Sequence, residues 1–590
     1  MQRAFSVLIF LVILTGGCAG SQREGTAPAP RPTSAAVDQE TSDEEGSSDE
    51  VQLHRPDDVF GPEKLAELKQ DGKALTTDQV DLFTGSGNCS LCHEEMTDQA
   101  GQDVSIANSW RGTMKAHAAV DPYFLAAVRR EIDDLPGQRE FIEDKCANCH
   151  MPIAFQTTAV SGEKAAIFGQ GFNDPDHYLH SLASEGVSCT VCHQIQPGNL
   201  GEKSSFSGHF LVDTQRPAGS RFIYGPFSVT DRRAAVMSGP SGFIPQQAKH
   251  IRRSALCATC HTLFTPSINS QGEVVGEFPE QTPYLEWLES DYASQKACQD
   301  CHMPPAEGGV VLASTGGEPR SPFAQHNFVG ANVYMLRVLR RFGEELGVNA
   351  SSDIFEEKID TTREQLERDA ARVTLEELSW SGDTLQAAVK VENLAGHKLP
   401  SAFPSRRVWI RFTVTDPDGR VIFQSGDFGA DGKILENDND VDPAAYERHY
   451  EEITSSEQVQ IYEPILINDR GEVTTHLLRV SRYVKDNRLL PVGFSNQEAP
   501  EEIQVKGQAS SDDTFQGGGD RVTYQVDIGE VSGPLTVDAQ ILMQTVSYRW
   551  AENHRGEGTE ESDRLMRYYD ATPNLPVILA RETAVVDVDQ

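Results

Sequence analysis

The sequence predicts an α+β protein in which a mainly helical and loop-rich part precedes an antiparallel β-sandwich. Between residues 89 and 302, one signature of the form C-x-x-C-H occurs five times, and the segments around it carry few strand signals. From about residue 365 the signature stops. Stretches that alternate apolar and polar residues then follow, separated by turn signals, and this pattern is typical of strands in a β-sandwich.

The chain begins with features of a secretory signal. Arg3 precedes an apolar run, residues 4–14, that is too short to be a transmembrane helix. The stretch from Leu14 to Cys18 resembles a bacterial lipobox, although Leu14 lies one residue further from Cys18 than is usual. We therefore predict that residues 1–17 are a lipoprotein-type signal peptide and that Cys18 is lipidated, with a plain signal peptide as the alternative.

Residues 18–58 form a segment of low hydrophobicity. They are rich in Ser, Pro, Ala, Gly, Asp and Glu, and few of them could build a core, so we predict a disordered acidic tether. The whole chain has a formal net charge of -38. This charge argues against nucleic acid as a partner and is compatible with a basic redox partner or with a generally acidic surface. The membrane would be reached through the lipid at Cys18, and the oligomeric state is not predicted.

The five C-x-x-C-H motifs are the attachment signature of c-type haem. On one helical turn, residues three and four apart share a face, so the two thiols can bind one porphyrin and the histidine can ligate its iron. A zinc site or a disulfide framework would not require a histidine after the second cysteine. We predict five covalently attached haems c in a domain spanning residues 59–350. The cysteine pairs and proximal histidines are Cys89, Cys92 and His93; Cys146, Cys149 and His150; Cys189, Cys192 and His193; Cys257, Cys260 and His261; and Cys298, Cys301 and His302.

Distal ligands decide whether such haems are closed carriers or open sites. A haem with protein ligands on both sides is closed, whereas an open side can bind a substrate. The leading distal candidates are four histidines near the motifs, namely His117, His180, His250 and His326. His209 is a weaker candidate. Apolar spacing around the motifs also predicts helices at 62–69, 122–131, 282–290 and 331–346.

Residues 365–590 are predicted to form the β-sandwich domain. His397 lies in the loop between the first two predicted strands, where it could reach a haem or serve a structural turn. The predicted strands are residues 384–392, 408–415, 419–424, 457–463, 475–481, 521–527 and 534–546.

The chain resembles multihaem cytochromes c of the c-552/c-554 type, especially large lipoprotein members with a C-terminal β-domain. The resemblance is carried by EGVSCTVCHQI, SALCATCHTLFTP, CQDCHMP, HNFVGANVYML, NLAGHKLPSAFPSRR, VQIYE and KDNRLLP. It implies an exported electron-transfer protein with mainly bis-histidine haems. It also supports His117, His180, His250 and His326 as distal ligands and makes His397 the fifth.

The leading functional hypothesis is therefore a pentahaem cytochrome that carries electrons between periplasmic or envelope redox partners, as an outer-membrane or cell-surface lipoprotein. Relatives of this haem packing include hydroxylamine oxidoreductase and nitrite reductase. An oxidoreductase that acts on a small nitrogen or sulfur compound at one five-coordinate haem is thus the alternative. The lysine-ligated C-x-x-C-K motif of nitrite reductases is absent from the sequence. A third hypothesis makes the β-sandwich a docking module.

Overall fold

The computed structural model describes residues 74–529, 531 and 533–587. The predicted signal peptide, Cys18, the tether and the predicted helix at 62–69 lie outside these residues. The described helices are α1 Gly87–Ser90, α2 Ile106–Arg111, α3 Pro122–Asp134, α4 Arg139–His150, α5 Pro152–Ser161, α6 His180–Ser184, α7 Cys189–Gln194, α8 Asp231–Ser241, α9 Ser254–His261, α10 Pro283–Leu288, α11 Cys298–His302, α12 Val333–Phe342, α13 Ser352–Asp369, α14 Tyr548–Glu552 and α15 Glu560–Ala571.

The strands confirm the mixed α+β class, because the longer ones follow the motif-bearing helices. They are β1 Phe222–Gly225, β2 Ile244–Gln247, β3 Leu263–Ile268, β4 Val274–Gln281, β5 Ala371–Ser381, β6 Thr384–Asn393, β7 Arg407–Thr415, β8 Val421–Ser425, β9 Glu452–Ile453, β10 Ile461–Tyr462, β11 Pro464–Ile467, β12 Arg482–Asp486, β13 Gly519–Asp527, β14 Leu535–Gln544 and β15 Val577–Val586. No helix in the described part is long and apolar enough to cross a membrane.

Two sheets dominate the C-terminal part of the chain. One has the order β10-β7-β14-β15 with β8 paired to β7, and the other has the order β5-β6-β13-β9. Their long pairings are antiparallel, as between β6 and β13 and between β7 and β14. Buried residues of both sheets belong to one hydrophobic cluster, in which Phe412 and Tyr524 stack with ring centres 4.0 Å apart.

The same cluster continues into the motif-bearing part. Tyr123 of α3, Phe278 of β4 and the apolar face of α12 are members of it, alongside the strands. Burying these side chains in common removes a large apolar area from water, which is the main favourable contribution to folding. A second cluster includes Ala147 and Val191 of the second and third motifs, together with Phe83 and Phe172, and Cys260 of the fourth motif packs against it.

Helix starts follow from local chemistry. Pro122 opens α3 after Asp121, whose side chain accepts from the backbone N–H of Tyr123. The long helix α13 begins after Ser351, whose hydroxyl accepts from the N–H of Ile354. The predicted helix at 122–131 is confirmed as α3, and those at 282–290 and 331–346 are shorter in the structure, as α10 and α12.

The predicted strand at 475–481 is wrong. This stretch contains a 3-10 turn, Leu477–Arg479, because the carboxylate of Glu131 accepts from the backbone N–H groups of Leu477 and Leu478. Those two N–H groups are therefore not available to a neighbouring strand. Of the predicted strand at 457–463, only Ile461 and Tyr462 pair as β10.

Candidate haem sites

All five C-x-x-C-H motifs lie on or beside short helices, so the two thiols of each motif lie about one turn apart. The second and fourth motifs end α4 and α9, the third begins α7, and the fifth forms α11. The first motif begins at the end of α1. The ten motif cysteines form no disulfide bonds. The sequence spacing thus produces five local geometries in which both thiols can bind one ligand.

Four proximal histidines are oriented by a backbone carbonyl. The Nδ1 atoms of His93, His150, His193 and His302 lie 2.7, 2.9, 2.6 and 2.6 Å from the carbonyl oxygens of Leu312, Ala118, Tyr224 and Val329. A carbonyl accepts only from a protonated Nδ1, so Nε2 carries the lone pair that a metal needs. Burial lowers the pKa of His150 and His302 to about 4, which keeps the imidazoles neutral and able to ligate.

Two predicted distal histidines face a proximal histidine across a gap. The ring centres of His193 and His326 are 6.2 Å apart with the planes 17° from parallel, and those of His302 and His397 are 6.2 Å apart at 9°. Two imidazoles bound to opposite sides of one metal ion have ring centres roughly 6 Å apart, because each metal–nitrogen bond is about 2 Å and each nitrogen lies about 1 Å from its ring centre. The separations therefore fit a bis-histidine iron at both places.

The other distal candidates are held by hydrogen bonds to backbone carbonyls. In the described part of the chain, none of them faces the ring of a proximal histidine. His117 and His250 use Nε2 to reach the carbonyl oxygens of Arg111 and Ile195, which leaves Nδ1 as the free nitrogen. His180 uses Nδ1 to reach Phe172, which leaves Nε2. His209 is exposed and reaches Phe206 with Nδ1. These residues stay predictions as distal ligands.

Cysteines of different motifs lie against one another. Cys189 lies beside Cys89, Cys149 lies beside Cys260, and Cys257 lies beside Cys298. Cys192 of the third motif also lies near Cys260, although not in hydrogen-bond contact with it. The fourth motif therefore adjoins the second, third and fifth, and the third adjoins the first.

Each motif has a buried polar side-chain atom, inside it or one residue away, that has no hydrogen-bond partner among the described residues. These atoms are Asn88 Oδ1, Asn148 Oδ1, Ser188 Oγ, Thr262 Oγ1 and Gln299 Oε1. Unpaired buried polar atoms are uncommon in folded proteins, so their presence at or beside all five motifs, although not at one shared position, calls for an explanation. The two hydroxyls, Ser188 Oγ and Thr262 Oγ1, could donate to the carboxylates of a haem, whereas the three amide oxygens can only accept and would need another donor.

Two residues at the motifs were not singled out from the sequence. The ring of Phe124 lies flat against that of His150, with centres 3.6 Å apart and planes 3° from parallel. The Nζ of Lys115 lies 3.1 Å from Nε2 of His261, the atom that would ligate iron. Phe124 follows the helix-start signal Asp121-Pro122, but nothing in the sequence indicates that either residue faces a particular motif.

A separate cluster, which consists of His449, Asp512 and Asp520, is buried in the C-terminal part. Its groups already satisfy one another: His449 Nε2 donates to Asp512 (2.9 Å), and His449 Nδ1 accepts from Gln460 (2.8 Å). Tyr462 donates to Asp520 (2.7 Å). With both ring nitrogens of His449 engaged, the cluster is a structural hydrogen-bond network.

No protein-family model matches the sequence, and no curated protein matches it. Among solved structures, the chain is similar to a penta-heme cytochrome c552 from Thermochromatium tepidum. The two are 16% identical, the alignment covers 82% of this chain and 96% of that chain, and the TM-score is 0.45. A TM-score at this level does not by itself establish a common fold.

Proposed function

We propose that this chain is an exported multihaem c-type cytochrome that carries electrons between redox proteins of the cell envelope. The observation that carries the proposal is the set of five C-x-x-C-H motifs, each on or beside a short helix and each in contact with another motif. The Cys pairs would hold five haems, and His93, His150, His193, His261 and His302 would be the proximal ligands. A bound haem supplies an iron that cycles between two oxidation states, and the chain sets its potential through ligands and burial.

The order of contact supports a branched path for electrons. The haem of the first motif would adjoin that of the third, and the third would adjoin the fourth. The second and fifth would both adjoin the fourth. Electron transfer slows steeply with distance, so neighbours in contact would exchange electrons faster than any other pair. The fourth haem would be the junction.

The alternative proposal is an oxidoreductase that acts on a small nitrogen or sulfur compound at one open haem. The observation that favours it is that, in the described part, two of the five proximal histidines face a second imidazole across a metal-sized gap. An iron with one protein ligand could bind a substrate on its other side. Carrier and enzyme differ in the number of open irons, which is directly measurable.

The deciding experiment combines haem quantification with electron paramagnetic resonance of the oxidised protein. Five haems per chain with only low-spin signals supports the carrier. Five haems with about one high-spin iron per chain supports the enzyme, and cyanide or nitrite should then shift that signal. Fewer than five haems contradicts both proposals. Stopped-flow reduction adds a kinetic criterion, because a haem that fails to equilibrate with the others within one turnover contradicts a continuous path.

We also propose that lipidation of Cys18 attaches the protein to the outer membrane or cell surface, with residues 18–58 as a tether. Two acyl-type anchors or one anchor with a second signal are needed for stable membrane attachment, and a bacterial lipoprotein meets this requirement. Changing Cys18→Ala should move the protein from the membrane fraction to the soluble periplasmic fraction without altering haem content. If the distribution does not change, the anchor lies elsewhere or does not exist.

We propose that the part from residue 365 onward is a β-sandwich that completes one haem site. The hypothesis that it is also a docking surface is tested by substitutions of its surface residues, because the whole part cannot be deleted without exposing the core. Deleting it would expose the common hydrophobic cluster that includes Tyr123, Phe278 and Val333. His397 supports the first role, because it faces His302 from the loop between β6 and β7.

A further inference from the structure

The fourth motif differs from the other four at its proximal histidine. At the others, the hydrogen bond is at Nδ1 and Nε2 is left for a metal. At His261, Nε2 itself accepts from the side chain of Lys115, whose Nζ is 3.1 Å away. A primary amine therefore lies where the other side of an iron bound to His261 would be.

We propose that Lys115, as a neutral amine whose proton is released to solvent on binding, is the distal ligand of the fourth haem, opposite His261. The inference rests on the proposed function, because it requires a haem at Cys257 and Cys260. Two nitrogens on opposite sides of one metal ion are separated by roughly 4 Å, since each bond is about 2 Å. The observed 3.1 Å needs to widen by about 1 Å, which the flexible four-carbon stem of lysine allows.

Two of the histidines predicted as distal ligands are engaged elsewhere. His326 faces His193 and His397 faces His302, each with ring centres 6.2 Å apart. A histidine cannot serve two irons with the same nitrogen. The amine of Lys115 is thus the nitrogen that the structure brings to His261.

The backbone of Lys115 is held in place by the segment before the third motif. Its carbonyl oxygen accepts from the N–H of Val187 at 2.8 Å. Gly186 has a φ of +58°, and a Cβ at this position would lie 2.5 Å from the same carbonyl oxygen. Only glycine permits both the backbone conformation and the close approach, so the two segments fix where the lysine stem starts.

The surroundings of the amine place it between two motifs. Nζ lies 5.4 Å from the centre of the Phe328 ring, next to the His326 that faces His193. The Lys115 amine also lies near Cys192 of the third motif and Cys257 of the fourth motif. The proposed ligand is therefore located where the third and fourth haems would meet, and an amine in place of an imidazole would set the potential of the junction apart from its neighbours.

The test is near-infrared magnetic circular dichroism of the oxidised full-length protein, in which the charge-transfer band of a low-spin haem depends on its axial pair. The expected result is a band for one histidine–amine haem beside histidine–histidine bands. Lys115→Arg keeps a long basic side chain but removes the neutral amine that could bind iron, so it should convert one haem in five to high spin. Lys115→His should restore a low-spin spectrum. Lys164→Arg, at an exposed lysine paired with Asp144, is the matched control and should leave the spectrum unchanged.

Each outcome has a defined meaning. Only histidine–histidine bands in the unaltered protein, or an unchanged spectrum in Lys115→Arg, overturns the proposal. A high-spin haem already present in the unaltered protein, able to bind cyanide, also overturns it and makes Lys115 a neighbour of an open site. A haem count below five is failure of the proposed function itself. If Lys115→Arg does not accumulate, the spectrum of the unaltered protein alone decides.

Discussion

At the scale of single residues, the histidines are organised by what their second nitrogen does. A carbonyl at Nδ1 sets the tautomer and directs Nε2 toward a metal, as at His93 and His302. The motif alone predicts which histidine is proximal. It does not predict the carbonyl, since Leu312 and Val329 come from segments far along the chain.

The facing imidazoles lead to a first prediction. If the chain holds five haems as proposed, His326→Ala or His397→Ala should each convert one low-spin haem into a high-spin haem, because one iron would lose a nitrogen ligand while its two thioether bonds remain. Haem content should stay at five per chain. His177→Ala is the control, because His177 contacts Tyr178 and Phe172 rather than a proximal histidine. An unchanged spin state in either test variant would remove that residue from the ligand set.

A buried carboxyl predicts a pH dependence. Burial raises the pKa of Glu185 from 4.5 to about 7, although hydrogen bonds from Ser86 oppose this shift. The folded-state pKa lies above the unfolded value, so this group contributes stability that is complete below its unfolded pKa and is lost as the pH rises through about 7. Between about pH 5 and pH 8, the free energy of unfolding should therefore fall less in Glu185→Gln than in the unaltered protein. The difference between the two falls should be up to about 3 kcal/mol.

Denaturant unfolding at the two pH values measures this difference. Glu163→Gln is the control, because Glu163 is exposed and its substitution should leave the pH dependence of the unaltered protein in place. Equal pH dependence in Glu185→Gln and the unaltered protein would show that Glu185 does not titrate in this range.

At the scale of elements, local signals explain where some helices begin and why one expected strand is missing. The segment of α13 carries Phe355, Ile359, Thr362 and Leu366 at helical spacing, and its cap Ser351 precedes it. This signal could have predicted the helix, which lies at the junction of the two predicted domains. The stretch 475–481 looks like a strand, but a carboxylate from α3 takes its N–H groups.

The N-terminal cap of α13 should contribute measurably to the stability of the protein. Ser351→Ala removes the acceptor for the N–H of Ile354 and should lower the free energy of unfolding by about 1 kcal/mol. The adjacent Ser352→Ala is the matched control, because Ser352 is an exposed first-turn residue that accepts only from Arg340. Chemical denaturation compares the two variants, and equal losses would contradict a specific role for the cap.

At the scale of the whole molecule, buried charges join the motif-bearing part to the strands. Glu286 of α10 pairs with Arg488 at 3.0 Å, Arg488 pairs with Asp486 at 2.8 Å, and Asp486 pairs with Lys398 at 2.7 Å. The four side chains are almost completely buried and their formal charges cancel. Breaking such a set leaves an uncompensated buried charge.

We therefore predict that Glu286→Gln lowers the free energy of unfolding by about 3–5 kcal/mol, because it leaves one positive charge without its partner. Glu289→Gln, three residues away and partly exposed, should change it by less than about 0.5 kcal/mol. Denaturant unfolding followed by circular dichroism measures both. A similar small change in the two variants would mean that the network relaxes or admits water.

The sequence by itself determined the features that depend on neighbours along the chain. Five motifs predict five local cysteine–histidine geometries, because three- and four-residue spacing is a property of one helical turn. Alternation predicts β6, β7, β8, β13 and β14, since pleated strands place successive side chains on opposite faces. The strands β5 and β15 were not predicted, and β5 carries the charged pair Glu376 and Glu377, with Glu377 at a φ of +49°, where its pairing with β6 is irregular.

Only the tertiary structure decided which distant residues meet. His326 faces His193, His397 faces His302, and Lys115 faces His261, although these partners are separated by 95 to 146 positions along the chain. No local pattern encodes such contacts, because they depend on how the whole chain packs its buried clusters and pairs its buried charges. For the same reason, the adjacency of the fourth motif to three others could be read only from the folded chain.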